Sequence, residues 1–492
     1  MEKTSEKKRS RSLPERRKEK ELKTLIRAEQ TENASGETQK KGFVTRCFDR
    51  MGYEVDFGEL KNMDFSPSHV WDRARQGARN VAENARETAR SSKVVLFSKQ
   101  LAYDKLLFLS ILALVIVGLT MMASASYAYA YNQYGNSMYF IQRQLLFVVL
   151  GVVVMFWVST ISPKIYNGGF AAFLWCLSVV LLILVRILPG KKGVHRWIEL
   201  GPISFQPSEI AKFTVILVCA SYIASHYHEI NMLTFRSEEK KRKYAQYGSV
   251  KRWGYEMIRS FQTSVWPFAW RVGIILGLLV VEPHLSCTII VMLIAGTMMF
   301  LAGTRKEYFL ILLGIAVAFI LLVVVFGVVP YGRARFEMWL DPFADVKGDG
   351  WQTIQSLYAI SSGGIFGAGF GNSRQKYMYI AEPQNDFVFS VVSEEVGLVG
   401  AVLIILLFVF FIWRGFVISV TNQDRFQRFM GIGITLQVGY QMILNVAVVS
   451  NLVPNTGISL PFFSYGGTSL LMLMFEMGVL LAISRSSTNR TI

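Results

Sequence analysis

The sequence predicts an all-α, polytopic membrane protein, and three observations support that prediction. The chain has 492 residues, of which 52% are hydrophobic, and its mean hydropathy is +0.34. Runs such as LLFLSILALVIVGLTMMASAS and LILLGIAVAFILLVVVFGVV are uncharged over about 20 residues, the length that a helix needs to cross a bilayer. Basic residues also concentrate in short segments beside such runs, as they do in the cytoplasmic loops of membrane proteins.

Ten apolar runs predict about ten transmembrane helices. We place them at 105–126, 143–162, 168–189, 208–226, 267–282, 286–303, 308–330, 387–413, 429–450 and 468–485.

The basic loops predict that both termini are cytoplasmic. Placing the N-terminal region inside also places the 227–265 loop, Arg305–Lys306, Arg425 and Arg428 inside, in agreement with the positive-inside rule. A large extracellular loop then joins helices 7 and 8. The segments predicted to face outward are Tyr127–Gln142, Gly190–Pro207, Tyr331–Asp386 and Asn451–Gly467.

Residues 1–102 differ from the rest of the chain, because they are highly charged and poor in apolar residues. We expect a disordered cytoplasmic extension, in which 71–99 forms either a basic helix on the membrane or a solvated tail. The membrane domain is expected at 103–486, followed by a short cytoplasmic tail at 487–492. Since much of the net charge of +17 lies beside apolar spans, anionic membrane lipids are a sufficient partner, and we expect no nucleic acid.

The large outer loop contains the strongest candidate for a catalytic base. Asp386 is followed at once by FVFSVV and therefore lies where the chain re-enters the bilayer. Partial desolvation there raises the pKa of a carboxylate and makes it a better proton acceptor. Glu394 and Glu395 lie about two turns deeper. They are alternatives, either as the base or as partners of a buried cation.

The segment Lys191–Phe213 offers cations for an anionic group. Pro207, Ser208 and Glu209 predict a helix start, and Lys212 lies three residues after Glu209 on the same helical face. Glu209 and Lys212 could therefore be substrate ligands or a mutually neutralising structural pair. Arg196 is either an anion ligand or an interfacial anchor beside Trp197.

Two further segments are rich in glycine. The run GGIFGAGFGNS, from Gly363, has no preceding strand and no Walker lysine, so it predicts tight turns rather than a phosphate loop. The segment Asn451–Ser469 breaks what would otherwise be a continuous span, which predicts a cavity wall. The four cysteines have no metal-ligand spacing, so we predict no metal site; they are Cys47, Cys176, Cys219 and Cys287.

Taken together, these blocks resemble the SEDS family (shape, elongation, division and sporulation) over roughly residues 103–486. The opening YDKLLFLSILALVIVGLTMMASAS is most similar to the division and sporulation branch, which includes FtsW and SpoVE. The matching residues are Arg196–Ile198, Phe205–Glu209, Lys212, Gly350, Gln355–Ser356, Gly364, Gly367, Gly369, Gly371, Gln375, Asp386–Phe387, Glu394–Glu395, Gly397, Thr456–Gly457, Leu460–Pro461, Ser464–Gly467 and Ser469.

The resemblance implies a peptidoglycan glycosyltransferase that polymerises lipid II at the outer face of the bacterial cytoplasmic membrane, at the division septum or in sporulation. It implies a class B monofunctional penicillin-binding protein, a transpeptidase, as partner, and it carries the family's essential aspartate onto Asp386. It implies no certain cofactor and leaves a divalent cation open. The substrate-binding residues that it implies are Arg196, Lys212, Glu209, Gln206, Gln355, Gln375, Ser464, Tyr465, Gly466 and Gly467.

The expected reaction is an inverting glycosyl transfer. It needs a base that takes the proton from the acceptor hydroxyl as this attacks the anomeric carbon of the donor. The leaving group is a polyprenyl pyrophosphate, so Arg196 and Lys212 could stabilise its charge.

One block departs from the family pattern. The usual Pro-Asp-Leu-Gly-Thr block is Pro283-His284-Leu285-Ser286-Cys287 here, preceded by Glu282. This departure keeps open a scaffold that recruits a transpeptidase. A lipid II flippase is a further alternative, because Arg196 and Lys212 would suit either role by holding a pyrophosphate.

Overall fold

The computed structural model describes residues 103–188, 196–200, 203–232, 257–258, 260–282, 284–311, 314, 336–348 and 350–488. The chain divides into two compact units, Met1–Ser92 and Lys93–Ile492, and everything described belongs to the second. The predictions for residues 1–102, for most of the seventh span (308–330) and for most of the 227–265 loop lie outside the described residues.

The described part of the chain is a bundle of helices with one small hairpin. The helices are α1 (Lys105–Tyr134), α2 (Tyr139–Thr160), α3 (Gly169–Ile187), α4 (Pro207–Met232), α5 (Trp266–Val281), α6 (Leu285–Leu301), α7 (Trp351–Gly363), α8 (Val388–Thr421), α9 (Arg425–Val449) and α10 (Gly467–Thr488). Strands β1 (Ile198–Leu200) and β2 (Ile203–Phe205) pair antiparallel, and short 3₁₀ helices lie at Pro163–Tyr166 and Pro342–Asp345.

These helices confirm a polytopic membrane protein. Among the described residues, seven helices are long and apolar enough to cross a membrane, and α5 and α6 are shorter apolar helices. Every predicted span other than 308–330 coincides with a helix. The number of ten spans and the cytoplasmic side of the termini stay predictions.

Three details of the predicted elements are wrong. Helix α1 continues to Tyr134 and α8 to Thr421, beyond the predicted ends at 126 and 413, because helical hydrogen bonding does not stop at the edge of the apolar run. The hairpin in Gly190–Pro207 was not predicted, since strands of three residues show no usable periodicity. The all-α class therefore holds apart from this hairpin.

The bundle has an enclosed centre and an apolar outside. Helices α4, α9 and α10 are the most buried, whereas α2 and α3 expose most of their apolar side chains. An apolar exterior is typical of a surface that faces lipid tails. Close packing of α2 on α10 relies on small residues: a Cβ at Gly478 would lie 2.6 Å from the Met155 carbonyl oxygen.

Candidate active site

The predicted outer ends of five helices and the hairpin enclose a polar cavity of about 930 Å³. The helices that contribute are α2, α4, α6, α9 and α10, together with the segments that precede α8 and α10. The structure brings most of the predicted site residues to this cavity, which is lined by Arg196, Gln206, Glu209, Lys212, Asp386, Ser464, Tyr465, Gly466 and Gly467.

Asp386 lies at the cavity wall, two residues before α8 begins. Its backbone is fixed from α9, because Asn445 Nδ2 donates hydrogen bonds to the carbonyl oxygens of Asp386 (2.8 Å) and Ile458 (2.6 Å). Gly457 has a φ of +71°, and a Cβ there would lie 3.0 Å from Asp386 Oδ2. A glycine at 457 therefore lets the loop pass beside the carboxylate without covering it.

The surroundings of Asp386 make its carboxylate more basic than usual. Burial, and to a smaller extent the negative charge of Glu382, raises the pKa of Asp386 to about 6, against the lowering effect of the positive charge of Arg196. The side chain is only partly buried, so it remains accessible from the cavity. A carboxylate of this pKa is ionised at neutral pH and still accepts a proton better than an ordinary aspartate.

The hairpin positions the cationic side of the cavity. Arg196 lies two residues before β1, whose Glu199 pairs with Ser204 of β2. Thr468 Oγ1 of α10 donates a hydrogen bond of 3.0 Å to the Ser204 carbonyl oxygen and so ties the hairpin to the bundle. The hydrogen bond fixes β2, and β2 pairs with β1, which begins two residues after Arg196. The backbone of Arg196 is therefore attached to a strand that is itself tied to the bundle. Trp197 lines the same cavity.

Glu209 and Lys212 form an ion pair at the start of α4. Lys212 Nζ lies 2.9 Å from Glu209 Oε2, and the Lys212 side chain is almost completely buried. Both residues also line the cavity, so the ion pair does not remove them from reach of a ligand. The structural and the ligand-binding interpretations are therefore compatible.

The segment before α10 forms another wall, as its irregular sequence predicts. Ser464 Oγ donates a hydrogen bond of 2.8 Å to the Asn385 carbonyl oxygen, and the Tyr465 amide donates one of 2.8 Å to the Gln384 carbonyl oxygen. These bonds hold the residues directly before Asp386. Ser464 and Tyr465 thus position the carboxylate besides lining the cavity.

Gln355 and Gln375 do not line the cavity. Gln355 is buried within α7, and Gln375 lies beside Glu394, whose carboxylate accepts hydrogen bonds from the amides of Arg374 (2.9 Å) and Gln375 (3.3 Å). Their positions suit a role in shaping the outer loop.

Glu394 and Glu395 also lie away from the cavity lining. Glu395 Oε1 lies 2.8 Å from Lys376 Nζ, and both side chains are almost completely buried. Ser124 of α1 donates a hydrogen bond of 2.7 Å to the same carboxylate. Of the two alternatives for this acid, pairing with a buried cation is the one that the geometry supports.

The glycine run makes close turns, as predicted. Gly364, Gly367, Gly369 and Gly371 all have positive φ, and a Cβ at Gly367 would lie 2.2 Å from the Glu395 carbonyl oxygen. Larger residues could not pack there without moving α8.

Sequence reasoning missed one cation at this site and one buried acid outside the cavity lining. Arg143, at the start of α2, lines the cavity and adds a third cation to Arg196 and Lys212. Glu476 does not line the cavity; it is fully buried in α10, where its Oε2 accepts a hydrogen bond of 2.7 Å from Gln437 Nε2. The usable signal was position, because an ionisable residue in or beside a membrane span is a functional candidate.

The block that departs from the family pattern, 282–287, lies beside the cavity. His284 lines it, and burial, followed by the charges of Arg196 and Lys212, lowers the pKa of His284 to about 3, so the ring is neutral. Burial raises the pKa of Glu282 to about 8, against the opposing effect of Arg196. The block thus supplies an acid, Glu282, near Arg196. The family pattern has its aspartate two positions later, where this chain has His284.

Within the described residues, no group of three or more His, Cys, Asp or Glu side chains is arranged to hold a metal ion.

With this geometry established, the comparisons with known proteins identify the family. Residues 104–489 match the model of the cell cycle protein family FtsW/RodA/SpoVE. The chain belongs to this family. The FtsW/RodA/SpoVE match covers the membrane domain and its cavity and begins after the charged N-terminal region.

Individual relatives agree with that family assignment. The chain is 35% identical over 399 residues to stage V sporulation protein E of Bacillus subtilis, covering 79% of this chain and 99% of the relative. It is 35% identical over 385 residues to the probable peptidoglycan glycosyltransferase FtsW of Trichlorobacter lovleyi, covering 78% and 93%. Both names are those of the division and sporulation branch that the opening helix predicts.

Solved structures of family members share the fold. One chain from a structure described as "Structural coordination of polymerization and crosslinking by a peptidoglycan synthase complex" aligns with a TM-score of 0.61 at 27% identity, covering 79% of this chain and 99% of that one. The rod shape determining protein RodA of Thermus thermophilus aligns with a TM-score of 0.51 at 24% identity over the same shares, which supports the fold alone.

Proposed function

We propose that this protein is a peptidoglycan glycosyltransferase that polymerises lipid II, with Asp386 as the base. The observation that carries the proposal is one cavity lined both by a carboxylate of raised pKa and by three cations, Arg143, Arg196 and Lys212. Curated relatives named as probable peptidoglycan glycosyltransferases support the reaction class.

The geometry suits an inverting displacement. The acceptor sugar hydroxyl transfers its proton to Asp386 while its oxygen attacks the anomeric carbon of the donor. The bond from that carbon to the pyrophosphate breaks, and the leaving group takes the electron pair. Arg196, Lys212 and Arg143 stabilise the negative charge that results, so no strong general acid is needed.

The proposal extends to a partner and a location. We propose that a class B monofunctional penicillin-binding protein, a transpeptidase, acts with this chain at the division septum or during sporulation. Support comes from the similarity to a chain of a peptidoglycan synthase complex that couples polymerisation to crosslinking, and from the division and sporulation names of the relatives.

The test is polymerisation of lipid II by the purified full chain, with and without the transpeptidase, comparing wild type with Asp386→Asn. The amide has the shape of the carboxylate and cannot take the proton. We expect a loss of 10²- to 10⁴-fold, the usual contribution of a general base. Asp345→Asn is the matched control: Asp345 belongs to the same outer loop, is exposed and does not line the cavity.

A transport function makes the opposite prediction. Translocation of lipid II requires no proton acceptor at this position. If the protein is only a transporter, the wild type forms no polymer, or Asp386→Asn forms as much polymer as the wild type. Either result rejects the glycosyltransferase proposal.

A further inference from the structure

Two polar contacts join α1 to α8, one near each end of the lipid-facing part of the pair. At one end Asp104, the N-cap of α1, accepts a hydrogen bond of 3.1 Å from Arg414 Nε. At the other end Ser124 donates to the Glu395 carboxylate, and Lys376 Nζ bonds both, at 3.1 Å from Ser124 Oγ and 2.8 Å from Glu395 Oε1.

The distance between these contacts matches a bilayer. At a rise of about 1.5 Å per residue, Asp104 and Ser124 are about 30 Å apart, and the part of α8 from Arg414 to the interruption at Gly397, beside Glu395, is about 26 Å long. The hydrocarbon core of a bilayer is about 30 Å thick. Between them α8 exposes apolar side chains such as Leu398 (60%) and Leu403 (61%). The spacing of the two contacts therefore fits the two boundaries of a hydrocarbon core.

The glycine loop, which we define as Gly363–Gly371, is fixed to α8 at the second boundary. Helix α8 is interrupted at Gly397, where φ is +66° and ψ is −171°. The break frees backbone groups of α8, and the loop bonds them. The amides of Ala368 and Gly369 donate to the carbonyls of Glu394 (2.9 Å) and Glu395 (3.1 Å).

The bonding is reciprocal. The amides of Leu398 and Val399 donate to the carbonyl oxygens of Gly364 (2.9 Å) and Ile365 (3.1 Å). Irregular backbone is tolerated at membrane depth where protein satisfies its polar groups, which is the case here. The loop is therefore built to lie against the apolar region rather than above it.

The side chains of this glycine loop are exposed and apolar. Phe366 is 83% exposed, Ile365 61% and Phe370 58%, and they continue the apolar surface that begins at Leu398. Their exposure does not come from a loose chain, because the backbone beside them is bonded on both sides. Phe, Trp and Leu are the apolar side chains that interfacial segments bury at the boundary between headgroups and acyl chains.

We propose that the glycine loop is a lipid-binding anchor that inserts Ile365, Phe366 and Phe370 into the boundary between acyl chains and headgroups. The loop lies on the same side of the core as Asp386, which precedes Glu395 by about 13 Å of helix rise. The anchor thus holds the cavity at the depth of the lipid headgroups. This inference does not depend on the reaction that the cavity performs.

The test measures the depth of a spin label at position 366. The full chain carries Phe366→Cys in a background in which the four native cysteines are replaced by alanine, and it is reconstituted in vesicles of phosphatidylethanolamine and phosphatidylglycerol. Power-saturation spectra give the accessibility of the label to oxygen, which partitions into lipid, and to a water-soluble nickel chelate. Because Phe366 contacts solvent or lipid over most of its surface, its replacement leaves the core intact.

Two matched controls set the scale. Leu403→Cys reports a lipid-facing position on α8, and Tyr379→Cys reports an exposed position on the same outer loop. Tyr379 follows Met378, whose sulphur contacts Asn132, about 12 Å of helix rise beyond Ser124. We expect an oxygen-to-nickel ratio at 366 that is several-fold higher than at 379 and close to that at 403.

Two outcomes overturn the proposal. A ratio at 366 equal to that at 379 places the loop in water. Exclusion of both reagents from the label at 366 shows that protein, not lipid, covers the loop.

Discussion

The charge of Glu382 raises the pKa of Asp386, so its removal should change the pH dependence of the reaction. With a pKa of about 6, about one tenth of Asp386 is ionised at pH 5 and nearly all of it at pH 8. Since the base must be ionised, kcat/KM should fall about tenfold per pH unit below pH 6 and level off above it.

The perturbation is Glu382→Gln. Glutamine retains an oxygen that can accept the 2.8 Å hydrogen bond from Asn385 Nδ2, so the loop keeps its geometry while the negative charge disappears. The pKa of Asp386 should fall, and the acidic limb of the profile should move to lower pH. A shift of one unit corresponds to about 1.4 kcal/mol and raises the ionised fraction at pH 5 about five-fold.

The assay is kcat/KM for lipid II polymerisation from pH 5 to 8.5, because this parameter reports groups of the free enzyme. Asp345→Asn should leave the profile unchanged. A flat wild-type profile down to pH 5 would refute Asp386 as the titrating base. A limb that moves to higher pH in Glu382→Gln would refute the electrostatic reasoning.

Two further predictions concern stability, measured as thermal unfolding in detergent. Because the pKa of Glu282 is raised to about 8, its contribution to stability is fully present below about pH 4.5 and is lost as pH rises to about 8. Glu282→Gln should remove that loss; an unchanged pH dependence would show that Glu282 is not the group responsible. Lys376→Met leaves the Glu395 carboxylate buried without its cation and should cost about 3–5 kcal/mol, whereas Lys376→Met/Glu395→Gln should recover part of the loss. Lys164→Met, in an exposed ion pair, is the control and should cost about 1 kcal/mol or less, and an equal loss in both lysine variants would contradict the role of burial.

The membrane helices and the position of Asp386 could be predicted because both depend on local composition. A run of about 20 apolar residues is long enough to cross the bilayer, and an acid that directly precedes such a run lies near the membrane surface. The family resemblance pointed to the same aspartate, and the structure places it with Arg196 and Lys212 at one cavity.

The remaining features depend on contacts between distant segments. The pairing of Glu395 with Lys376 follows from how the outer loop folds back on α8, which the spacing of the two residues does not indicate. Gln355 belongs to the same matched blocks as Asp386, yet it packs inside α7 and not at the cavity. A shared block therefore does not distinguish a residue that shapes the loop from one that faces a ligand.

The double hydrogen bond of Asn445 has a consequence for biosynthesis. One amide group fixes the backbone at Asp386 and at Ile458, and both Asn445 and Ile458 leave the ribosome after Asp386. A nascent chain that has just reached Asp386 therefore lacks the residues that hold its backbone in place. Because synthesis proceeds from the N-terminus, the reactive geometry forms only after α9 and the segment beyond it have entered the membrane.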